Sequence, residues 1–272
     1  MALIELDSVL ESLVVEQTGE TSWTAPNVEM DYRRIFGGQL LGQAIALGVA
    51  TTEGKTVKSL SCLFPREGSM DEPLEFVVEE TQTGRAFAAR RITAAQNDKV
   101  FFVAQLSMHA EEAGHDRHDP APDVGSPDDA TLQESTMIPW TTRIVDGVDI
   151  ADHGAGPADY SLWTRVDDRT LPDDLTTHQA LLSYATDLNV IGTALRPIEG
   201  VSVADTQISL HTAVTSHSMW FHRPFRIDEW CLITQHSPTV SGARAFGHGT
   251  VFDARGALVA SFAQESMIRP IG

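Results

Sequence analysis

The chain has 272 residues, of which 42% are hydrophobic and 21% are charged, and this composition is typical of a globular protein with a sizeable core. Its formal net charge of −19 argues against nucleic acid and anionic membranes as partners. No apolar run reaches the length of a membrane span, and the acidic N-terminal segment 1–20 lacks the basic start of a signal peptide, so we expect a cytoplasmic protein.

The sequence of the first half of the chain predicts two helices followed by four strands. Ser8-Val9-Leu10-Glu11 fits a capping box, which predicts a short helix near the N-terminus. Phe36-Gly37-Gly38 opens an almost uncharged segment that runs to Ala50, and a helix of this kind must be buried nearly all round. Its glycines permit another backbone to approach closely and leave N–H groups free at the helix start. Apolar, β-branched and aromatic runs then predict strands at 57–64, 74–81, 86–95 and 100–109.

The middle of the chain predicts a linker and the start of a second unit. Residues 111–135 are rich in Asp, Pro, Gly and His, as surface linkers are. We predict no metal site at His115 and His118, because a solvated linker explains both and no third ligand is implied. Strands are predicted at 141–145 and 160–166, and one long apolar helix at 175–195. Asp187 is almost the only charge in the latter part of that helix, so it either faces solvent or is held for a reason.

The C-terminal third of the chain repeats an earlier region. Ser59-Leu60-Ser61-Cys62-Leu63-Phe64 aligns with Ser216-His217-Ser218-Met219-Trp220-Phe221, and further on Gln105 aligns with Gln264. A period of this length indicates a duplicated domain rather than a solenoid. We therefore predict an N-terminal repeat at 1–110, a linker at 111–135 and a C-terminal repeat at 136–272. Cys62 and Cys231 lie in predicted strands and are interpreted as buried, reduced thiols.

Four motifs carry a resemblance to the acyl-CoA thioesterase II family. They are Phe-Gly-Gly-Gln-x-x-Gly-Gln at 36–43, Tyr-Ala-x-Asp-x-Asn at 184–189, His-Ser-Met-Trp-Phe-His-x-Pro-Phe-x-x-x-Glu-Trp at 217–230 and Val-Ala-Ser-x-x-Gln-Glu at 259–265. The resemblance implies an α+β double hotdog fold, in which two antiparallel sheets, each wrapped round a long central helix, form a tandem repeat. It also implies hydrolysis of acyl-CoA to free fatty acid and CoA without a covalent intermediate, cofactor or metal. We further expect a homo-oligomer, either a dimer or a tetramer.

The same resemblance implies the catalytic residues. Asp187 would take a proton from the attacking water, and Gln264 would orient that water. The position of the family's hydroxyl residue is occupied by Val214, which has no hydroxyl, so the candidates to replace it are its neighbours Thr212, Thr215 and Ser216. Strand alternation places Thr212 and Ser216 on the face of Val214 and Thr215 on the other face, unless a bulge intervenes.

Substrate contacts are expected at the glycine-rich helix start and at arginines. Gly37, Gly38 and Gln39 would offer backbone N–H groups to the developing oxyanion. An acidic protein must gather basic side chains locally to bind the phosphates of CoA, and Arg85 and Arg223 are predicted for this role. His217 and His222 are interpreted as structural because the implied mechanism already has its base. The first repeat offers no carboxylate equivalent to Asp187, so one active site per chain is predicted.

Two other functions stay open at this point. A non-catalytic or weakly active acyl-CoA binding protein would keep the fold and lose the hydroxyl, and Val214 favours that interpretation. A hotdog hydratase or dehydratase would use an Asp/His pair, but the resemblance places no histidine with Asp187. A serine or cysteine nucleophile is disfavoured, because the chain has no Gly-x-Ser-x-Gly elbow and neither cysteine is marked as activated.

Overall fold

A computed structural model describes residues 4–30, 33–167 and 171–271, and the outermost residues of the two predicted repeats, 1–3 and 272, lie outside these ranges. The helices are α1 (Leu6–Ser12), α2 (Gly37–Ala50), α3 (Leu175–Thr186) and α4 (Val190–Leu195). The strands are β1 (Glu16–Gln17), β2 (Ser22–Ala25), β3 (Thr56–Leu63), β4 (Leu74–Thr83), β5 (Phe87–Gln96), β6 (Lys99–His109), β7 (Thr131–Gln133), β8 (Thr141–Ile144), β9 (Asp159–Arg165), β10 (Leu210–Phe221), β11 (Cys231–Ser241), β12 (Arg244–Asp253) and β13 (Leu258–Pro270).

The strands of the described residues form one antiparallel sheet rather than the two separate sheets that were predicted. Their order is β1-β2-β4-β5-β6-β3-β10-β13-β12-β11-β9-β8-β7. The two halves are joined because β3 and β10, which would each be an exposed edge, pair with one another. The strands at the outer ends, β1 and β7, are only 2 and 3 residues long, which limits further edge pairing. Because β7 lies inside 111–135, the end of the predicted linker belongs to the sheet.

The register at the join shows a pseudo-twofold axis. Ser61 lies directly opposite Ser218, its repeat counterpart 157 residues later, and the Ser218 hydroxyl donates to the Ser61 hydroxyl at 2.9 Å. Each half also carries a β-bulge near the axis, at Lys58 in β3 and at Thr215 in β10. These two bulge residues correspond under the same offset as the two serines. The central strands of the two halves are therefore built alike.

The predicted equivalence of Gln105 and Gln264 is wrong. Gln105 lies opposite Ser61 and is exposed, whereas Gln264 lies opposite His217 and is only 1% exposed. The place of Gln264 is taken in the first half by Leu106. The alignment by sequence slipped by one residue, and because side chains alternate along a strand, such a slip reverses the face of every residue after it.

The second predicted helix is interrupted. The segment 175–195 divides into α3 and α4, because Asn189 adopts a left-handed conformation with φ of 70° that an α-helix cannot contain. Asparagine tolerates this conformation better than most residues do. The break places Asp187 at the C-terminal end of α3 rather than in the middle of a long helix. Among the residues that the structure describes, a long uninterrupted central helix is thus present in the first half only.

Helices α2 and α3 pack together beneath the inner face of the sheet and supply the core. Buried apolar side chains of both helices join those of the strands in one cluster. The buried side chains of Gln39 and Gln43 on α2 tie down the N-terminal segment: Gln43 donates to the carbonyls of Ser12 and Pro26. The predicted capping box is wrong, because α1 begins before Ser8 and the Ser8 hydroxyl accepts instead from the Glu29 N–H.

Candidate active site

Asp187 lies where the two halves of the chain meet. It follows the last residue of α3 and is only 6% exposed. Its Oδ2 atom accepts a hydrogen bond of 3.1 Å from the N–H of Gly38, in the first turn of α2. Oδ1 is buried and has no hydrogen-bond partner among the described residues. A carboxylate of one half thus occupies the positive end of the helix of the other half and keeps one oxygen uncommitted.

The paired glycines are what allow this approach. A Cβ atom on residue 37 would lie 2.7 Å from Asp187 Oδ2, and one on residue 38 would lie 2.5 Å from the carbonyl oxygen of Tyr184. Both distances are shorter than atomic contacts allow. The rings of Phe36 and Tyr184 meet edge to face beside the glycines, with centroids 4.8 Å apart. Larger residues at 37 and 38 would therefore separate α2 from Asp187.

Burial decides the protonation of Asp187. Loss of solvation raises the pKa of this carboxyl to about 7, and the hydrogen bond from Gly38 opposes the rise without cancelling it. A carboxyl that titrates near neutral pH can accept a proton at the working pH and later return it, as a general base must. This places Asp187 among the residues expected to act in catalysis.

Gln264 lies in a second polar cluster inside the core. Its side-chain oxygen is 3.0 Å from Nδ1 of His217, directly across the β10–β13 ladder, and its amide nitrogen donates to the hydroxyl of Ser266 at 3.1 Å. The other ring nitrogen of His217 is 3.3 Å from the hydroxyl of Thr186, the residue before Asp187. The cluster thus connects Gln264 to the end of α3. Sequence reasoning missed Thr186 and Ser266, although Ser266 is two residues from Gln264 and so shares its face.

The bulge at Thr215 changes which hydroxyls face the site. Val214 lies opposite the buried Ser266, on the inner face, but the extra residue turns Ser216 to the outer face, where it lies opposite Glu265. Ser216 was predicted to share the face of Val214 unless a bulge intervened, and this bulge overturns that placement. Thr215 donates its hydroxyl to the carbonyl of Glu265 at 3.0 Å.

Thr212 is the candidate hydroxyl residue that keeps its predicted face. It is 7% exposed and precedes the bulge, so it lies on the same face as Val214. Across the ladder from Val214, Ser266 adds a hydroxyl that the sequence did not suggest. Thr212 and Ser266 are therefore the two inward-facing hydroxyl residues nearest to Val214 along β10 and β13.

The predicted substrate-binding residues lie in different parts of the structure and make different contacts. Gln39 is fully buried, accepting from the N–H of Val28 and donating to Asn27, so its side chain holds the N-terminal segment. Arg223 forms an ion pair with Asp116 and donates to the carbonyl of Leu258. Arg85 is exposed between β4 and β5. The structure brings Gly37 and Gly38 to Asp187 but gives neither arginine a contact with the described atoms of the two catalytic candidates.

Two clefts occur elsewhere on the surface. One, of about 440 Å³, lies at the start of α3 beside His178 and Arg226, and the other, of about 640 Å³, lies at the end of α2 beside Trp23 and Arg90. Neither is lined by Asp187 or Gln264. Within 4–30, 33–167 and 171–271, no group of His, Cys, Asp and Glu side chains is arranged to hold a metal ion, and no helix has the length and apolarity to cross a membrane.

Comparison with known proteins defines the class. Family models described as "Acyl-CoA thioesterase" and "Acyl-CoA thioesterase N-terminal domain" match residues 146–267 and 26–109. A hotdog-fold protein of unknown function from Alicyclobacillus acidocaldarius superposes with a TM-score of 0.79 at 16% identity, covering 97% of this chain and 99% of that one. The fold is therefore the hotdog fold.

Two relatives define the family. Acyl-coenzyme A thioesterase 8 of Homo sapiens is 30% identical, over 97% of this chain and 90% of that protein. The crystal structure of acyl-CoA thioesterase II TesB2 from Mycobacterium marinum is 33% identical and superposes with a TM-score of 0.84, over 97% of this chain and 99% of that one. The chain belongs to the acyl-CoA thioesterase family.

Proposed function

We propose that this chain hydrolyses acyl-CoA thioesters to the free carboxylic acid and CoA, with Asp187 as the general base. The observation that carries the proposal is the buried carboxyl of Asp187, whose pKa lies at about 7 and whose Oδ1 atom is uncommitted. Family membership supports the same chemistry. The predicted domain boundaries at 110 and 136, the cytoplasmic location and the dimer or tetramer stay predictions.

The reaction needs one water and no other reactant. The water oxygen attacks the thioester carbonyl carbon while Asp187 takes a proton from the water. The amide nitrogen of Gln264 donates a hydrogen bond to the water oxygen and so orients it. The carbonyl oxygen becomes negative, and N–H groups in the first turn of α2, where Gly38 donates to Asp187, would stabilise that charge. The carbon–sulfur bond then breaks, and the proton on Asp187 passes to the departing CoA sulfur.

The experiment is a measurement of free CoA released from a panel of acyl-CoAs, from acetyl to palmitoyl. We expect release from at least one chain length with an equal amount of free acid. A protein that only binds acyl-CoA would show saturable binding without release. A hydratase or dehydratase would instead interconvert enoyl-CoA and 3-hydroxyacyl-CoA and leave the thioester intact. Either of these results would overturn the proposal.

The rate should depend on pH through Asp187. The base acts in its ionised form, so with a pKa of about 7 we expect kcat to rise about tenfold between pH 6 and pH 8 and then level off. The pKa of His217 is lowered by burial to about 4, so His217 does not titrate in this range. The measurement is the pH–kcat profile on one acyl-CoA, and a flat profile between pH 5 and 9 would contradict the assignment.

A hydroxyl restored at position 214 should raise activity. Valine has the volume of threonine but lacks its hydroxyl, so Val214→Thr should supply a hydrogen bond to the water or to Gln264 and raise kcat about 10- to 100-fold. Thr212→Val should lower the activity of the native chain if Thr212 substitutes for the missing hydroxyl. Ser216→Ala is the matched control, since Ser216 faces outward and its loss should leave kcat unchanged. No gain from Val214→Thr and no loss from Thr212→Val would show that neither hydroxyl takes part.

A further inference from the structure

The imidazole of His217 is held on both sides inside the core. It is fully buried, and its ring lies parallel to that of Phe262 with centroids 5.9 Å apart. Nδ1 is 3.0 Å from the side-chain oxygen of Gln264, and Nε2 is 3.3 Å from the hydroxyl of Thr186. The bulge at Thr215 is what turns this residue inward, since inner-face residues are even-numbered before it and odd-numbered after it.

These contacts fix the direction in which the Gln264 amide points. An amide oxygen can only accept, so Nδ1 of His217 must carry the hydrogen and donate it. The amide NH₂ group of Gln264 is then on the opposite side, where one hydrogen goes to Ser266 and the second is left for another acceptor. If the amide were rotated by half a turn, its oxygen would take that place and could not donate to a water oxygen.

His217 is well suited to a fixed, uncharged role. Burial lowers the pKa of its imidazole to about 4, so the ring is neutral at working pH and carries a single N–H. Its side-chain hydrogen bonds go to Gln264 and Thr186. The Thr186 hydroxyl does not decide which nitrogen carries the hydrogen, because that hydroxyl is also 3.0 Å from the carbonyl oxygen of Ser183 and can donate to either acceptor. The Gln264 oxygen, which only accepts, places the hydrogen on Nδ1.

We propose that His217 is a positioning residue, whose Nδ1–H holds the oxygen of Gln264 so that the amide NH₂ faces the attacking water. The inference rests on the proposed hydrolysis and adds a residue that the motif comparison interpreted as structural only. Loss of the Nδ1–H should lower kcat and leave the Michaelis constant nearly unchanged, because His217 acts through the orientation of the water in the transition state and has no proposed contact with acyl-CoA.

The test compares His217→Phe, which keeps a ring against Phe262 but has no donor, with His217→Asn, whose amide N–H can replace Nδ1–H. We expect kcat to fall about tenfold in the phenylalanine variant and to stay within about threefold of native in the asparagine variant. In a Gln264→Ala background, His217→Phe should cost less than about twofold, since the group that it positions is gone. The apparent pKa of the pH–kcat profile should be the same in all variants.

Several results would overturn the proposal. These are native kcat in His217→Phe, equal losses in His217→Phe and His217→Asn, or a tenfold loss that persists in the Gln264→Ala background. A shifted or missing pH dependence in His217→Asn would instead make His217 an acid or base. Thermal unfolding of each variant checks the fold, and His217→Leu replaces His217→Phe if the latter does not fold. Failure of the proposed hydrolysis is distinct, because the native chain itself would then release no CoA.

Discussion

Replacing Asp187 with asparagine should lower kcat for acyl-CoA hydrolysis by about 10²- to 10⁴-fold, the usual cost of losing a general base. The asparagine side chain keeps the shape of the carboxyl, and its oxygen can still accept from the Gly38 N–H. What it loses is the ability to take a proton. The measurement is steady-state CoA release by the native chain and the variant, with Asp123→Asn, the same change at an exposed position, as the matched control.

The same variant should be more stable than the native chain at high pH. Folding raises the pKa of Asp187 from 3.8 to about 7, so the folded state binds the proton more tightly than the unfolded state does. The stability that the protonated carboxyl contributes is complete below pH 4 and is lost as the pH rises through 7. Urea unfolding at pH 5 and pH 8 should show the gain of Asp187→Asn over native growing between them. A native rate of CoA release in the variant would remove Asp187 from the mechanism.

Gly38→Ala should destabilise the fold by about 3 kcal/mol or more, at the upper end of what overpacking costs. The added methyl group would lie 2.5 Å from the carbonyl oxygen of Tyr184 and 2.4 Å from the ring of Phe36. A ring can turn aside, but the backbone of α3 cannot withdraw without carrying Asp187 away from α2. The intrinsic helix preference of alanine, worth about 1 kcal/mol over glycine, is too small to offset this.

Two other glycines provide the controls for that measurement. Gly114→Ala adds a methyl group with no atom within 4 Å, so its urea midpoint should match the native one. Gly37→Ala would instead press on the Asp187 carboxylate, 2.7 Å from the added atom, so it should reduce kcat more than stability. If Gly38→Ala unfolded at the native urea concentration, the close contact of the two helices would not hold the site together.

The sequence predicted the elements of the fold better than their connections. Strand positions such as 74–81 agree with β4 to within a few residues, because alternating apolar residues mark a half-buried strand. The join of β3 to β10 was not predicted, since pairing between distant strands leaves no local pattern. The break at Asn189 was also missed, because the apolar sequence on both sides is that of one continuous helix.

Only part of the candidate active site could be predicted from the sequence. A lone charge on an apolar helix drew attention to Asp187, and the structure shows that it is buried rather than facing solvent; its catalytic role, which the motif implied, stays a prediction. The bulge at Thr215 has no signature in its own residue type, so Ser216 was placed on the wrong face. The pairing of His217 with Gln264 could not be predicted for the same reason. The bulge shifts every later residue of β10 by one place relative to β13, and nothing in the local sequence indicates that shift.

The central claim is that water activated by Asp187 attacks the thioester directly. The most direct test is a rapid-quench first turnover with the protein in excess over acyl-CoA, in which free CoA and free acid are both measured over time. Direct attack releases the two products with the same rate constant and never leaves an acyl group on the protein. Release of CoA ahead of the acid, with a protein mass increased by the acyl group, would show a covalent intermediate and contradict the claim.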